Sequence, residues 1–329
     1  MTPKAAENPE RSSHVVIVIP VFNEGEPLIK SLRVILREAA LAATRTGLHA
    51  SILVVDDGSS DGTPARLAQH FELGSEIAYL RLARNCGKEV AILAGLCAAQ
   101  DASAVVVMDG DLQHPPALLL PMFEAWLAGS DVVEACKSSR GKEGWFRGLG
   151  ARLFYGLFRA ATDLDIEHHS DFKLLDAKVV AVYVALPERK RFFRGLISWL
   201  QFPSMRVQFD VAEGARPASR WSSAHLLRYA VSSLVSFTSV PLQLVTWCGG
   251  LTFLVSLVFG GKAIYDKWTG HAADGFSTVI LLLLLIASIL MFSLGLIGLY
   301  VARIYDEVKQ RPPYQIDLHN SRPWGHQRL

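Results

Sequence analysis

Cysteine is scarce in this sequence, with four in 329 residues: Cys86, Cys97, Cys136 and Cys248. None forms a CxxC pair, so they read as reduced or buried thiols rather than a disulfide frame or a zinc site. A surplus of one charge is also missing. Lys and Arg number 33 against 31 Asp and Glu, a net charge of +2, so no global field draws the chain to nucleic acid. No GxGxxG follows the first apolar run and no GxxxxGK[ST] occurs anywhere, which excludes a dinucleotide fold and a P-loop. Residues 1–13 are polar and lack the apolar core of a signal peptide. Internal repeats and low-complexity linkers are absent as well.

Hydrophobic residues are plentiful, at 50% of the chain, and they are unevenly placed. No charged residue lies between Tyr229 and Gly261, or between Gly275 and Ala302. Each run exceeds the ~20 residues that cross a bilayer core. Ser288, Ser293, Gly295 and Gly298 in the second run suit close helix packing in lipid and permit self-association into a homo-oligomer. The flanks are richer in Lys and Arg than the loop between the runs, which places the large N-terminal part and the tail on the cytoplasmic side. The expected division is a flexible N-terminus at 1–13, a catalytic domain at 14–215 and a juxtamembrane amphipathic segment at 216–240. Two transmembrane helices follow within 241–302 (about 241–261 and 277–302), then a cytosolic tail at 303–329.

The first two hundred residues alternate in pattern. Apolar, β-branched runs at "HVVIVIP", "SILVVDD", "IAYLRLA", "AVVVMDG" and "DVVEACK" read as buried strands. Helical patterns separate them, the second opened by Asp61-Gly62-Thr63-Pro64. This alternation predicts an α/β fold: a Rossmann-like, mostly parallel sheet with helices on both faces, followed by a two-helix transmembrane hairpin. In such sheets ligands bind beyond the carboxyl ends of the strands. Those ends carry Pro20, Asn23 and Glu24; Asp56, Asp57, Ser59 and Asp61; Arg84, Asn85 and Lys88; and Asp109, Asp111 and Gln113.

The stretch "VVVMDGDLQHPP" aims two carboxylates, Asp109 and Asp111, at one rim. Like charges there repel unless something neutralises them. A hard divalent cation does so with oxygen ligands, and Mg²⁺ takes only one or two carboxylates plus phosphate oxygens from a substrate. A DxD pair alone is usually a solvated turn. Here the strand exit, the acidic second strand end and the apolar runs downstream favour a site. "DLDIEHHS" holds His168 and His169, but adjacent histidines do not readily close one tetrahedral zinc site.

The motifs "VIPVFNE", "VVDDGSSDGT", "RNCGKEVAILAGL", "VVMDGDLQHPP", "SDFKLLD" and "RFFRGLISWL", in this order and spacing, resemble family 2 glycosyltransferases with a GT-A fold. More narrowly they are similar to the polyprenyl-phosphate group: dolichol-phosphate mannose synthases and bacterial undecaprenyl-phosphate glucosyl- and aminoarabinosyltransferases. The resemblance runs from about His14 to Tyr314. It implies an inverting enzyme of a bacterial inner (cytoplasmic) membrane, multi-pass, with catalytic domain and C-terminus cytosolic. The donor would be a UDP-sugar, with UDP-glucose the default, and the acceptor a polyprenyl phosphate. Mg²⁺ or Mn²⁺ is the implied cofactor.

The resemblance also assigns roles. Pro20, Phe22 and Glu24 would line the nucleotide pocket, Asp56 and Asp57 would hold base and ribose, and Lys88 would lie near the donor. Asp109, Asp111 and Gln113 would form the metal and diphosphate site, with Asp111 and Asp171 catalytic. Lys137, Arg140, Arg147, Arg194, Arg216 and Arg220 would meet the acceptor phosphate. Two departures are Gly110 and His114, where the family more often has alanine and a second acid. "PASRW" resembles the QxxRW of processive synthases, but Pro217 stands where Gln would be. Transfer of an amino sugar or mannose, transfer to another lipid or a polysaccharide, and an inactive membrane scaffold are the competing readings.

Overall fold

The computed structural model describes residues 13–73, 76–137, 170–189, 191–209, 240–269 and 275–322. It separates into two compact units. The first takes the chain up to Arg220 (all but 160–163) together with everything from Pro312 onward; the second consists mainly of Trp221–Arg311.

The first unit is a seven-stranded sheet. Its strands are β1 (His14–Val21), β2 (His49–Asp56), β3 (Ile77–Arg81), β4 (Ala104–Val107), β5 (Val132–Lys137), β6 (Lys173–Asp176) and β7 (Ser204–Phe209). Their order is β3-β2-β1-β4-β6-β5-β7. Only β6 runs antiparallel to its neighbours β4 and β5. The helices are α1 (Gly25–Thr46), α2 (Thr63–His70), α3 (Lys88–Ala98), α4 (Leu119–Leu127), α5 (Ala177–Ala185) and α6 (Phe193–Trp199).

β1 is central because it is apolar on both faces: Val15 to Ile19 are each no more than 1% exposed. Burying each such side chain contributes about 1.5–3 kcal/mol. α1 closes one face with Leu28, Ile29, Leu32 and Ile35, spaced for a single helical stripe. On the other face α3 approaches β1 very closely. A Cβ on Gly95 would stand 2.3 Å from Val18 Cγ1, so only glycine allows that approach.

β6 and β7 were not among the strands anticipated from the sequence. β6 carries Lys173, fully buried and ion-paired with Glu134, its cross-strand neighbour on β5. Burial pulls the Lys173 ammonium below its ordinary range.

The tail also joins this sheet. Tyr79 N donates to Arg322 O (2.9 Å), Asp317 N donates to Arg81 O (2.8 Å) and Ala83 N donates to Gln315 O (2.8 Å). Residues 315–322 therefore cover the open edge of β3.

The second unit contains two long helices, α7 (Val240–Trp268) and α8 (Phe276–Val308). Among the described residues one stretch, Leu285–Val308, is long and apolar enough to cross a membrane; the apolar part of α7, Gly249–Lys262, is shorter.

Gly58 marks the tightest turn at the rim. Its φ is +72°, and a Cβ there would meet Arg84 C at 2.6 Å and Asn85 N at 2.8 Å. Gly58→Ala should destabilise the first unit by about 2 kcal/mol or more, through strain and clash together. That corresponds to a melting temperature lowered by about 4–8 °C, readable by thermal denaturation in detergent.

Candidate active site

The loops beyond β1 and β2 are fastened to each other. Asn23, at φ +52°, donates its N–H to Ser59 Oγ (2.9 Å), and its Oδ1 accepts from Ser60 N (2.9 Å). Gly25 N donates to Thr63 Oγ1 (3.3 Å). Asp56 and Asp57 hold this region from beneath. Asp56 is fully buried; its Oδ1 accepts from Ser59 N (2.8 Å) and its Oδ2 from the Tyr79 hydroxyl. Asp57 Oδ1 accepts from Cys86 N (2.6 Å) and Oδ2 from Gly87 N (2.8 Å), which fixes the entry to α3. Burial pushes the Asp57 carboxyl up, with Asp56 adding to this and the two amides opposing it. Phe22 projects from the same rim, 43% exposed.

Strand polarity brings the other carboxylates to this end. β4 runs toward the rim and delivers Asp109 just past its end. β6 runs the opposite way, so Asp171, just before its start, reaches the same rim. Lys88, the first residue of α3, lies between them: its Nζ is 2.6 Å from Asp109 Oδ1 and 2.7 Å from Asp171 Oδ2. Arg194, in the first turn of α6, binds Asp171 with both arms of its fork, Nε to Oδ1 at 2.6 Å and Nη2 to Oδ2 at 2.9 Å. Burial alone would push Asp171 up, but Arg194 and Lys88 outweigh it and hold the carboxyl well below the usual range. Burial likewise opposes the charge on Lys88, and the two carboxylates overcome it and raise the ammonium. The Lys88 side chain keeps 42% exposure, so water screens part of this pairing.

Two cations and two carboxylates balance. Glu89 adds a fifth charge-bearing group beside Asp171. Its Oε2 accepts from Phe193 N at 2.8 Å, which ties α3 to the start of α6. Burial and then the Asp171 charge push the Glu89 carboxyl up to about 7.

Past Asp109 the chain turns through Leu112, a non-glycine residue at φ +57°. Asp111 Oδ1 accepts from Gln113 N at 3.0 Å. Asp111 and Gln113 are exposed and Asp109 is partly so. Among the described residues no group of three or more His, Cys, Asp or Glu is gathered as a metal site. Asp109, Asp111 and Gln113 offer oxygen donors only, and too few to enclose an ion. That donor set suits a hard cation that keeps its waters and takes phosphate oxygens from a ligand.

Of the residues singled out in the sequence, Lys88, Asp109 and Asp171 thus meet directly, with Arg194 on Asp171. Pro20, Phe22, Glu24, Asp56, Asp57, Asp111 and Gln113 lie on the same rim. All four oxygens of Asp56 and Asp57 are engaged within the protein. Lys137 ends β5. Arg140, Arg147, Arg216 and Arg220 lie outside the described residues, as does nearly all of the N-terminal segment 1–13. Arg191 caps α5: it donates to the carbonyls of Tyr183, Val184, Leu186 and Glu188. Sequence reading passed over Glu89, Tyr79, Arg81 and the Lys173–Glu134 pair. A lysine in an apolar strand opposite a glutamate in another was the one signal available for that pair.

Residues 16–176 match the family described as glycosyl transferase family 2. An uncharacterised glycosyltransferase of Synechocystis sp. is 34% identical over 312 residues, covering 94% of this chain and 95% of that one. The chain belongs to glycosyl transferase family 2. An uncharacterised glycosyltransferase of Bacillus subtilis, YkcC, is 35% identical over 300 residues, 91% of each chain. The bactoprenol glucosyl transferase of Shigella phage SfII is 31% identical over 304 residues, 92% of this chain and 97% of that one. The matched family region runs from β1 through β6. In this glycosyltransferase it takes in Lys88, Asp109, Asp111 and Asp171, whereas Arg194 and the tail lie beyond it.

Glu89 gives the enzyme a specific pH dependence. Its carboxyl holds a proton in the folded state up to about pH 7, whereas the unfolded chain releases it near 4.5. Stability from this group therefore declines as pH rises between those values, and is flat above them. Glu89→Gln should melt at a higher temperature than the parent at pH 8 and close to it at pH 4.5. Parallel melting curves across that range would count against the protonated carboxyl.

Proposed function

We propose that this enzyme transfers a glycosyl unit from a nucleotide diphosphosugar to a polyprenyl monophosphate, with inversion at the anomeric carbon. UDP-glucose is the expected donor and undecaprenyl phosphate the expected acceptor. The observation that carries the reading is Lys88, which links Asp109 of the DGD turn to Asp171 across β4 and β6. That puts a diphosphate-binding turn next to a carboxylate braced by two cations. Relatives named bactoprenol glucosyl transferases support the acceptor and the sugar. Intact Asp109, Asp111, Gln113 and Asp171 weigh against an inactive scaffold.

The chemistry follows from the reactants. A phosphate oxygen of the acceptor attacks the anomeric carbon, the bond to the donor's β-phosphate oxygen breaks, and nucleoside diphosphate leaves. Asp109, Asp111 and Gln113 would hold Mg²⁺ or Mn²⁺, which offsets charge on the leaving diphosphate. Phe22 offers an exposed aromatic face to the nucleobase, while Asp56 and Asp57 shape the pocket through the loops they fasten. The acceptor needs no strong base, because a phosphate monoester is largely ionised above its second pKa of about 6. Asp171, held ionised by Arg194 and Lys88, is poorly suited to take a proton. It is well placed to stabilise positive charge that develops at the anomeric carbon. Arg194 keeps about a third of its side chain exposed and is the described cation best placed for an incoming phosphate. Lys137, Arg140, Arg147, Arg216 and Arg220 complete the proposed acceptor side.

The tail supports a two-crossing hairpin. Residues 315–322 hydrogen-bond to β3, so the chain before Arg220 and the chain after Pro312 share one side of any membrane. Between them the number of crossings must be even. If α8 spans, a further crossing is needed, and α7, whose 29 residues reach about 43 Å, is the described helix that can supply it. A reporter tag within 270–274 should then lie on the opposite side from one placed after residue 329. Protease access to both tags from the same face would refute the hairpin.

The deciding assay incubates the purified enzyme with undecaprenyl phosphate and each of several radiolabelled nucleotide sugars, and counts label in the organic phase. Label released by mild acid marks a phosphate-linked sugar. Asp111→Ala should lose at least about a hundredfold in turnover while melting like the parent. EDTA should abolish activity and Mg²⁺ or Mn²⁺ restore it; full activity in EDTA would remove the metal from the scheme.

A further inference from the structure

We propose that residues 315–322 form a clip on the donor pocket, and that Arg81 is the positioning residue through which the clip acts. This rests on the reading of the β1 and β2 loops as the nucleotide pocket.

The clip engages alternate residues of one strand edge. Tyr79 exchanges both backbone hydrogen bonds with Arg322, at 2.9 and 2.6 Å. Arg81 is held on both polar groups, its N–H by Ser321 Oγ (3.0 Å) and its carbonyl by Asp317 N (2.8 Å). Ala83 N reaches Gln315 O. Ser321 is 3% exposed, and its hydroxyl donates to Asp317 O (2.7 Å), so its Oγ is oriented to accept from Arg81. Ile316 pairs with Leu82. Simple protection of an edge strand would need no buried serine, and β3 has only five residues, with Arg81 the last of them.

The side chains of those same residues point at the pocket. Residues 79 and 81 alternate onto one face. The Tyr79 hydroxyl donates to Asp56 Oδ2, and burial together with that bond raises the phenol well above its ordinary range. Arg81 Nη2 donates to Ser59 O at 2.9 Å, and its Nε stands 3.9 Å from Asp56 Oδ2. Ser59 is where the rim loops meet, since its N–H goes to Asp56 and its Oγ accepts from Asn23. Arg81 thus fixes the carbonyl of the residue that joins the β1 and β2 loops. The clip in turn fixes Arg81, across 240 residues of sequence. Releasing the tail frees the Arg81 backbone, then its guanidinium, then Ser59. The ordering of the Asp57–Asp61 loop would then have to occur on nucleotide binding, which weakens affinity.

The test uses the full-length protein in detergent. Calorimetric titration with UDP, GDP and dTDP identifies the nucleotide that the parent binds most tightly, and that nucleotide is the probe. Arg81→Met should weaken it about tenfold and Arg81→Lys by less, since lysine keeps the charge and loses the Ser59 contact. Ser321→Ala should weaken it about threefold. In all three the KM for undecaprenyl phosphate should stay within twofold. Nucleotide affinity within twofold of the parent in both Arg81→Met and Ser321→Ala overturns the clip. So does a loss that falls equally on nucleotide and acceptor in step with melting temperature. Asp57→Asn separates the two claims. If it weakens nucleotide binding while the clip variants do not, the pocket stands and the clip falls. If none of the variants changes nucleotide binding, the pocket reading fails and takes the clip with it.

Discussion

One ammonium between two carboxylates governs the arrangement of the rim. Without Lys88, Asp109 and Asp171 would be two anions converging from different strands, and Asp171 would be a buried charge braced from one side only. Removing one partner of such a buried pair is costly because the other charge stays desolvated. Much of the surrounding fold can be read as the means of keeping Lys88 there. Gly95 lets α3 settle on β1. The amides of Cys86 and Gly87 anchor the entry to α3 on Asp57. Glu89, the next residue, ties the helix to α6, which supplies Arg194. The antiparallel course of β6 brings Asp171 to a rim otherwise built from the ends of parallel strands.

What was legible in the sequence follows from which signals are local. β1 to β5 are mostly apolar runs buried on both faces, and such runs show in composition alone. β6 is four residues long and includes a lysine, so its pattern argues against burial. It can be buried because Glu134 lies directly across from Lys173, a fact of register and not of local sequence. β7 is mostly exposed and carries no core stripe. The tail's pairing with β3 left no local trace at all, because backbone hydrogen bonds do not depend on side-chain type.

The site divides in the same way. The DGD turn and Lys88 sit in motifs dense enough to be recognised, and Asp171 comes with its own motif. Arg194 was read as a contact for the acceptor phosphate; its bidentate hold on Asp171 depends on where α6 begins. Glu89 drew no notice because an acid in the first turn of a helix is ordinary, being favourable to the helix dipole. Its raised pKa comes from packing against α6 and from a neighbour 82 residues away in the chain, and neither is visible locally. Asp56 and Asp57 were read as base and ribose contacts from the resemblance of their motif. In the folded protein each of their carboxylate oxygens accepts a hydrogen bond, from Ser59, Tyr79, Cys86 or Gly87, so they also fasten the loops around them.

The electrostatics of Asp171 bear on which acceptor the site fits. A hydroxyl acceptor must lose its proton as it attacks, and the base that removes it works best with a pKa near the working pH. Asp171 is far from that condition, because Arg194 and Lys88 both favour its ionised form. A phosphate monoester arrives already ionised. It brings negative charge, which such a pair of cations can share, and asks for no proton transfer. The two cations that make Asp171 a poor base therefore also make its surroundings hospitable to an anionic nucleophile. On the proposed mechanism the same carboxylate is a fixed negative charge beside the positive character of the sugar in the transition state. Such an arrangement suits the proposed phosphate acceptor better than a hydroxyl.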